Sequence, residues 1–64
     1  MTQIYVEGGQ HLFGPYHWPV IPMKGDRINL KEGGGRIIAG TVTRCEFTGG
    51  GDTLTVRVIV KESR

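Results

Sequence analysis

The stretch "RIIAGTVTRCEFTGGGDTLTVRVIVK", residues 36–61, decides the fold class. In its second half, Leu54, Val56, Val58 and Val60 stand at every other position and are separated by mostly polar residues. This period of two is typical of a β-strand with one buried face. The "TGGGDT" segment before it has the glycine content of a tight connection, so residues 36–61 predict a β-hairpin.

The first strand of this hairpin changes its apolar parity along its length. The apolar positions change from the even-numbered Ile38 and Val42 to the odd-numbered Cys45 and Phe47. One extra residue in a strand produces such a change, so the pattern predicts a β-bulge or a sharp bend, with Gly40 as one place where the backbone tolerates it.

Two further strands are predicted in the first half of the chain, at "TQIYVE" (2–7) and "DRINL" (26–30). A short fifth strand is possible at residues 19–23, and "KEGGGR" (31–36) predicts a second hairpin loop. No segment shows a helical period over three turns. We therefore expect one all-β domain over residues 1–64, a small, partly open barrel of four to five antiparallel strands.

The order of "PMKGDRINL", a glycine loop, "IIAGTVTRCEF", a hairpin and "LTVRVIV" resembles the small SH3-like β-barrels of bacteria and phages. The resemblance covers residues 22–61 and rests on a Gly-Asp pair that opens one strand and a G-x-V on the next. It implies that residues 8–21 take the place of a long first connecting loop, where such barrels often carry binding residues.

Length and composition limit the features that can stabilise the fold. A chain of 64 residues forms a small core, and domains of this size usually need a disulfide, a metal or a partner subunit. The single cysteine, Cys45, cannot form an internal disulfide, and the histidines lack the spacing of a structural metal site. The sequence therefore predicts no metal or cofactor and a homo-oligomer.

The remaining composition points to a cytoplasmic setting. The N-terminus is polar and no apolar run reaches the length of a membrane span, so neither a signal peptide nor a membrane anchor is predicted. The formal net charge of +2 is far below that of proteins that bind duplex nucleic acid.

The segment "HLFGPYHWPVIP", residues 11–22, is the candidate binding site. It contains three prolines and is predicted to be an irregular aromatic loop. Aromatic and imidazole rings can stack on a nucleobase, and arginine forks can hold phosphate. The predicted ligand-binding residues are His11, Phe13, Tyr16, His17, Trp18, Arg27 and Arg36.

A structural interpretation of the same loop stays open. Leu12, Phe13 and Trp18 could fold back as a lid over one open end of the barrel. Both interpretations hold if a pocket lies between subunits, with a loop from each copy covering a shared ligand.

Catalytic groups are not predicted. His11 and His17 lie on an irregular segment, Cys45 is mid-strand, and Asp26 at a strand entry is expected to hydrogen-bond the turn backbone. Both glycine loops are read as ordinary hairpin connections, since neither matches a phosphate-binding loop.

The outer face of the last strand carries Arg57, Ile59 and Lys61. This row predicts either a sheet edge guarded by charge or an oligomer contact that covers Ile59.

These observations lead to a first hypothesis of a non-catalytic, homo-oligomeric protein that holds a nucleotide or cyclic oligonucleotide. By analogy, a phage factor that sequesters a host defence signal would have this form. The alternatives are a protein-interaction module or inhibitor that uses residues 11–18, and a binder of single-stranded nucleic acid.

Overall fold

The computed structural model describes residues 1–62, which form one mixed β-sheet curled into a half-barrel. The strands are β1 (Thr2–Gly8), β2 (His11–Tyr16), β3 (Arg27–Glu32), β4 (Arg36–Gly50) and β5 (Thr53–Glu62). Their order across the sheet is β2-β1-β5-β4-β3. The prediction of a small all-β, partly open barrel is confirmed.

The core lies on the concave face of this sheet. Alternating positions of β1 and β5 contribute most of it, as the period of two in the sequence indicated. Its members are Ile4, Val6, Phe13, Ile28, Ile38, Val42, Val56, Val58 and Val60. All are aliphatic except Phe13, so packing depends on that ring for much of its volume.

The charged row on the last strand does not mark an edge. β5 is the middle strand and pairs with β1 on one side and β4 on the other. Ile59 is half-buried on the outer face between these neighbours. The interpretation of β5 as an edge guarded by charge is therefore wrong, because the chain itself supplies both partners.

One pairing differs from the predicted antiparallel arrangement. β1 and β5 run parallel, from Thr2 opposite Leu54 to Gly8 opposite Val60, and the other pairings are antiparallel. A tight turn forces consecutive strands to reverse direction, but β1 and β5 are not consecutive, so no turn dictates their direction.

The fifth strand lies at residues 11–16 and not at 19–23. β2 follows β1 through a turn at Gly9 and occupies a sheet edge, although it contains Pro15. A proline lacks the donor that a central strand requires, whereas an edge strand tolerates it. The expectation that residues 11–22 are entirely irregular is wrong for their first half.

The predicted bulge in β4 is present, but at Thr43. The pairing of β4 with β5 shifts register between Val42 and Arg44, which moves the apolar positions from even to odd. Gly40 has another role, because a Cβ at this position would collide with the backbone of Lys61.

The glycine segments form the predicted hairpin connections. Gly33–Gly35 make a short 3-10 turn between β3 and β4, and Gly51 with Asp52 closes the β4–β5 hairpin. Within residues 1–62, no helix is long and apolar enough to cross a membrane.

Candidate functional site

The rings of Tyr16 and Trp18 stack on each other at the end of β2. Their centroids are 4.6 Å apart and their planes differ by 8°. Both side chains are half-buried and pack against the core. One face of the Trp18 ring is therefore covered by Tyr16, and part of the side chain stays accessible to solvent.

Tyr16 also connects the two edges of the sheet. Its hydroxyl donates a hydrogen bond of 2.7 Å to Oε2 of Glu32, at the end of β3. Burial, together with this carboxylate, raises the pKa of Tyr16 to about 12. Since β2 and β3 are the outer strands of the curled sheet, this bond joins its two edges.

Phe13 belongs to the core and not to an exposed surface. The ring is fully buried, with the guanidinium carbon of Arg36 5.8 Å from its centroid and the ring of His11 at 6.0 Å. Arg36 also lies 3.9 Å from Oε1 of Glu32, so its charge already faces a carboxylate. The buried position of Phe13 agrees with the alternative in which this side chain folds back onto the core.

The predicted site residues do not all meet at one place. Arg27 and Arg36 are at opposite ends of the β3–β4 ladder, where they pair with Thr41 and Glu32. At the usual rise per residue the two ends of such a ladder are about 15 Å apart. The Arg36 guanidinium lies against Glu32 and Phe13 at its own end. His17 is exposed and its Nδ1 lies 3.2 Å from the carbonyl oxygen of Thr2.

Residues 17–26, which we call the arm, connect β2 to β3 without regular secondary structure but are held in place at several points. Cys45 Sγ donates to the carbonyl of Pro22 at 3.1 Å, and burial raises the pKa of this thiol. Asp26 accepts from the backbone N–H of Met23 through Oδ2 at 2.9 Å, which confirms its predicted role in the turn. Gly25 donates to the carbonyl of Val42 at 2.9 Å.

Two apolar side chains of the arm point into solvent. Val20 is 72% exposed and Met23 is 71% exposed, whereas Ile21 between them packs against the core. Sequence reasoning on residues 11–18 missed them, because it weighted aromatic rings. The signal was present in "PVIPM", where Pro19 and Pro22 stiffen an apolar run beside a turn.

The described residues form an open surface with no enclosed pocket. Within the same residues, no three His, Cys, Asp or Glu side chains converge as a metal site would require. No family model, curated protein or solved structure matches this chain.

Proposed function

We propose that this protein is a binding module that docks onto another protein through its arm, with Trp18, Val20 and Met23 as the contact side chains. The observation that carries this proposal is the exposure of Val20 and Met23 on a segment whose backbone is fixed. Exposed apolar side chains on a rigid support are typical of a protein-interaction site.

The arm is anchored on both sides of these residues. Before them, Trp18 stacks on Tyr16, which is itself bonded to Glu32. After them, the turn at Met23–Asp26 is closed by hydrogen bonds of 2.9 and 3.0 Å. A segment already held in its binding conformation loses little conformational entropy on association, so its apolar contacts contribute more of their free energy to affinity.

Charge around the arm favours a partner with carboxylates at the rim of its contact surface. Lys24 and Arg27 are exposed immediately beyond Met23. The Asp26 carboxylate between them already accepts a backbone hydrogen bond. Rim charges of this kind act mainly on association rate and on the choice of partner.

Several contacts favour a protein partner over the small phosphate-bearing ligand. Phe13 is buried, and Tyr16 and Trp18 present one ring face to each other. The two arginines assigned to phosphate lie at opposite ends of a ladder. A nucleotide would therefore find Trp18 half-buried and already stacked, and two guanidinium groups at separate ends of the ladder.

The test compares matched variants in affinity capture from a lysate of the source organism, followed by titration calorimetry with each purified candidate partner. We expect a double change, Val20→Glu with Met23→Glu, to abolish binding. Ile37→Glu is the control, because Ile37 is 48% exposed on β4 and lies outside the arm.

The same preparation is titrated with a panel of linear and cyclic nucleotides. Tight binding of a nucleotide that is lost in Trp18→Ala, at an unchanged melting temperature, would contradict the proposal and favour the small-ligand hypothesis. A partner that binds the double variant as tightly as the wild type would also contradict it, because the arm would then not be the contact surface.

A further inference from the structure

β4 extends well beyond the strand that covers its outer edge. β3 pairs with β4 over Arg36–Thr41, and Val42 then bonds to the backbone of Gly25 and Asp26. Within residues 1–62, no strand pairs with residues 43–50 on this side. β5 covers only their other side, down to Gly50 opposite Thr53. Residues 43–50 are therefore a free sheet edge, which we call the β4 edge.

The hairpin fixes which backbone groups this edge presents. Gly50 and Thr53 flank a two-residue turn, so they form a hydrogen-bonded pair. Because the bonding direction alternates along a strand, Thr48 and Glu46 also bond to β5. The outward N–H and C=O groups belong to Cys45, Phe47 and Gly49.

Phe47 occupies the middle of this edge and is 58% exposed. It lies opposite the buried Val56 and so projects from the concave face of the sheet. A large aromatic ring thus stands next to a row of unpaired backbone groups. Long edges with these properties readily pair with another strand.

We propose that a second copy of this chain pairs with the β4 edge, antiparallel, about a two-fold axis that passes beside Phe47. In this register residues 44–50 of one copy lie opposite residues 50–44 of the other. Each Phe47 faces the Phe47 of the second copy, and Cys45 faces Gly49. The β4 edge meets the arm where Cys45 bonds to Pro22. The proposal uses neither Val20 nor Met23 and does not depend on the proposed function.

A second copy of the chain is the expected partner because the edge is self-complementary. Edges that must stay single usually carry proline, lysine, an isolated charge or a β-bulge. The bulge at Thr43 lies just before the residues that would pair, 44–50. β2 has Pro15 and β3 has Lys31, whereas residues 43–50 contain neither residue type. Their two charges, on Arg44 and Glu46, are 3.0 Å apart, and Glu46 also lies 3.8 Å from Arg57, so neither charge is isolated.

The two-fold axis at Phe47 pairs the longest stretch of the edge without conflict, since an axis at Thr48 would pair only residues 46–50. Residues that lie opposite each other in an antiparallel pair project from the same face of the sheet. The two-fold axis must therefore pass beside a residue that lies opposite its own copy in the second chain. An axis at Glu46 puts two carboxylates directly opposite each other, which is destabilising. An axis at Cys45 puts Thr48 of the second copy against Val42, whose backbone is already bonded to the arm. The axis at Phe47 avoids both conflicts.

The first test is a disulfide cross-link. In the background Cys45→Ser, the change Phe47→Cys should give a covalent dimer under mild oxidation, because directly opposed residues have Cα atoms about 5.5 Å apart, within disulfide range. Ile37→Cys in the same background is the control and should give no covalent dimer. The wild type should also give no covalent dimer, since the two copies of Cys45 would lie four positions apart.

The second test removes a single outward donor. Phe47→Pro deletes an N–H that faces the second copy and leaves the bonds to β5 in place, whereas Phe47→Thr keeps that donor. In sedimentation velocity over a concentration series, we expect the wild type to dimerise and Phe47→Pro to raise the dimer dissociation constant about tenfold or more relative to Phe47→Thr. Circular dichroism checks that both variants keep the sheet.

Three results would overturn the proposal. One is a wild type that stays monomeric over the whole series. Another is equal dimerisation of the Phe47→Pro and Phe47→Thr variants when both are folded. The third is efficient cross-linking through native Cys45, which would place the axis elsewhere. None of these results tests whether a partner protein binds to the arm.

Discussion

At the scale of single residues, Gly40 allows the two longest strands to approach closely. A Cβ at this position would lie 2.7 Å from the carbonyl carbon of Lys61 and 2.8 Å from Cα of Glu62. These are backbone atoms, which cannot rotate away as a side chain can. The absence of a side chain at Gly40 is thus a condition for the pairing of β4 with the end of β5.

We expect Gly40→Ala to lower the free energy of unfolding by about 1–3 kcal/mol through this overpacking. Gly49→Ala is the matched control in the same strand, because its Cβ would meet Cδ1 of Leu54 at 3.7 Å and the carbonyl oxygen of Thr53 at 3.8 Å, both ordinary contacts. Urea unfolding followed by the fluorescence of Trp18 measures both. Equal stability of the two variants would show that the sheet can move apart at Gly40.

Cys45 gives a second prediction at this scale. Burial, with a smaller contribution from the Asp26 charge, raises the thiol pKa and so lowers the fraction of reactive thiolate. We expect iodoacetamide at pH 8 to label the folded protein several times more slowly than the protein in denaturing urea. Equal rates would mean that the arm does not shield the thiol.

At the scale of elements, the sequence predicted best where side chains alternate cleanly. β1, β3 and β5 were located within about two residues, because each has one buried face. β2 was missed, because Pro15 and Gly14 argue locally against a strand while the edge position and the hairpin with β1 permit one. The position of the bulge depends on how β4 and β5 match across the sheet, which no local pattern contains.

The candidate site was predictable to a similar degree. The sequence singled out the aromatic side chains, but their fates differ because Phe13 lies within β2, Tyr16 ends it and Trp18 lies beyond it. Phe13 pairs with Val6 and enters the core, whereas Leu12 is 52% exposed on the other face. The bond between Tyr16 and Glu32 arises from the curl of the whole sheet, so spacing in the chain gives no sign of it.

The contrast between neighbouring residues of β2 supplies the test for this element. We expect Phe13→Ala to cost about 3–5 kcal/mol, the usual range for a buried ring, and to unfold much of a domain this small. Leu12→Ala should change stability by less than about 0.5 kcal/mol, because the side chain is largely in water. Thermal melts of both variants check the difference. Similar melting temperatures would place β2 outside the core.

At the scale of the whole molecule, the hydrogen bond between Tyr16 and Glu32 joins the first and last strands of the sheet. Removing it with Tyr16→Phe should cost about 1 kcal/mol, since the bond is only half-buried. Tyr5→Phe on the neighbouring strand is the control for loss of a tyrosine hydroxyl. Urea unfolding at pH 7 measures both changes, and an equal loss in the two variants would show that the contact with Glu32 contributes nothing.

The same bond gives the molecule a stability that depends on pH. The pKa of Tyr16 is about 12 in the folded protein against 10.0 ordinarily, so the folded state holds this proton more tightly than the unfolded state. The contribution is fully present below pH 10 and is lost as the pH rises toward 12. Melting temperatures across this range should fall more steeply for the wild type than for Tyr16→Phe. Parallel curves of melting temperature against pH for the two proteins would contradict the assignment of this pH dependence to Tyr16.

The parallel pairing of β1 with β5 has a consequence for how the chain acquires its structure. Residues 2–8 find their partners at 54–60, so the middle of the sheet joins segments from far-separated parts of the sequence. A ribosome that has released only the first forty residues has exposed a hairpin with no strand to shield its apolar face. Native structure then forms late and all at once, at the slow rates typical of folds dominated by contacts distant in sequence. Until β5 emerges, Ile4, Val6 and Phe13 remain accessible to chaperones.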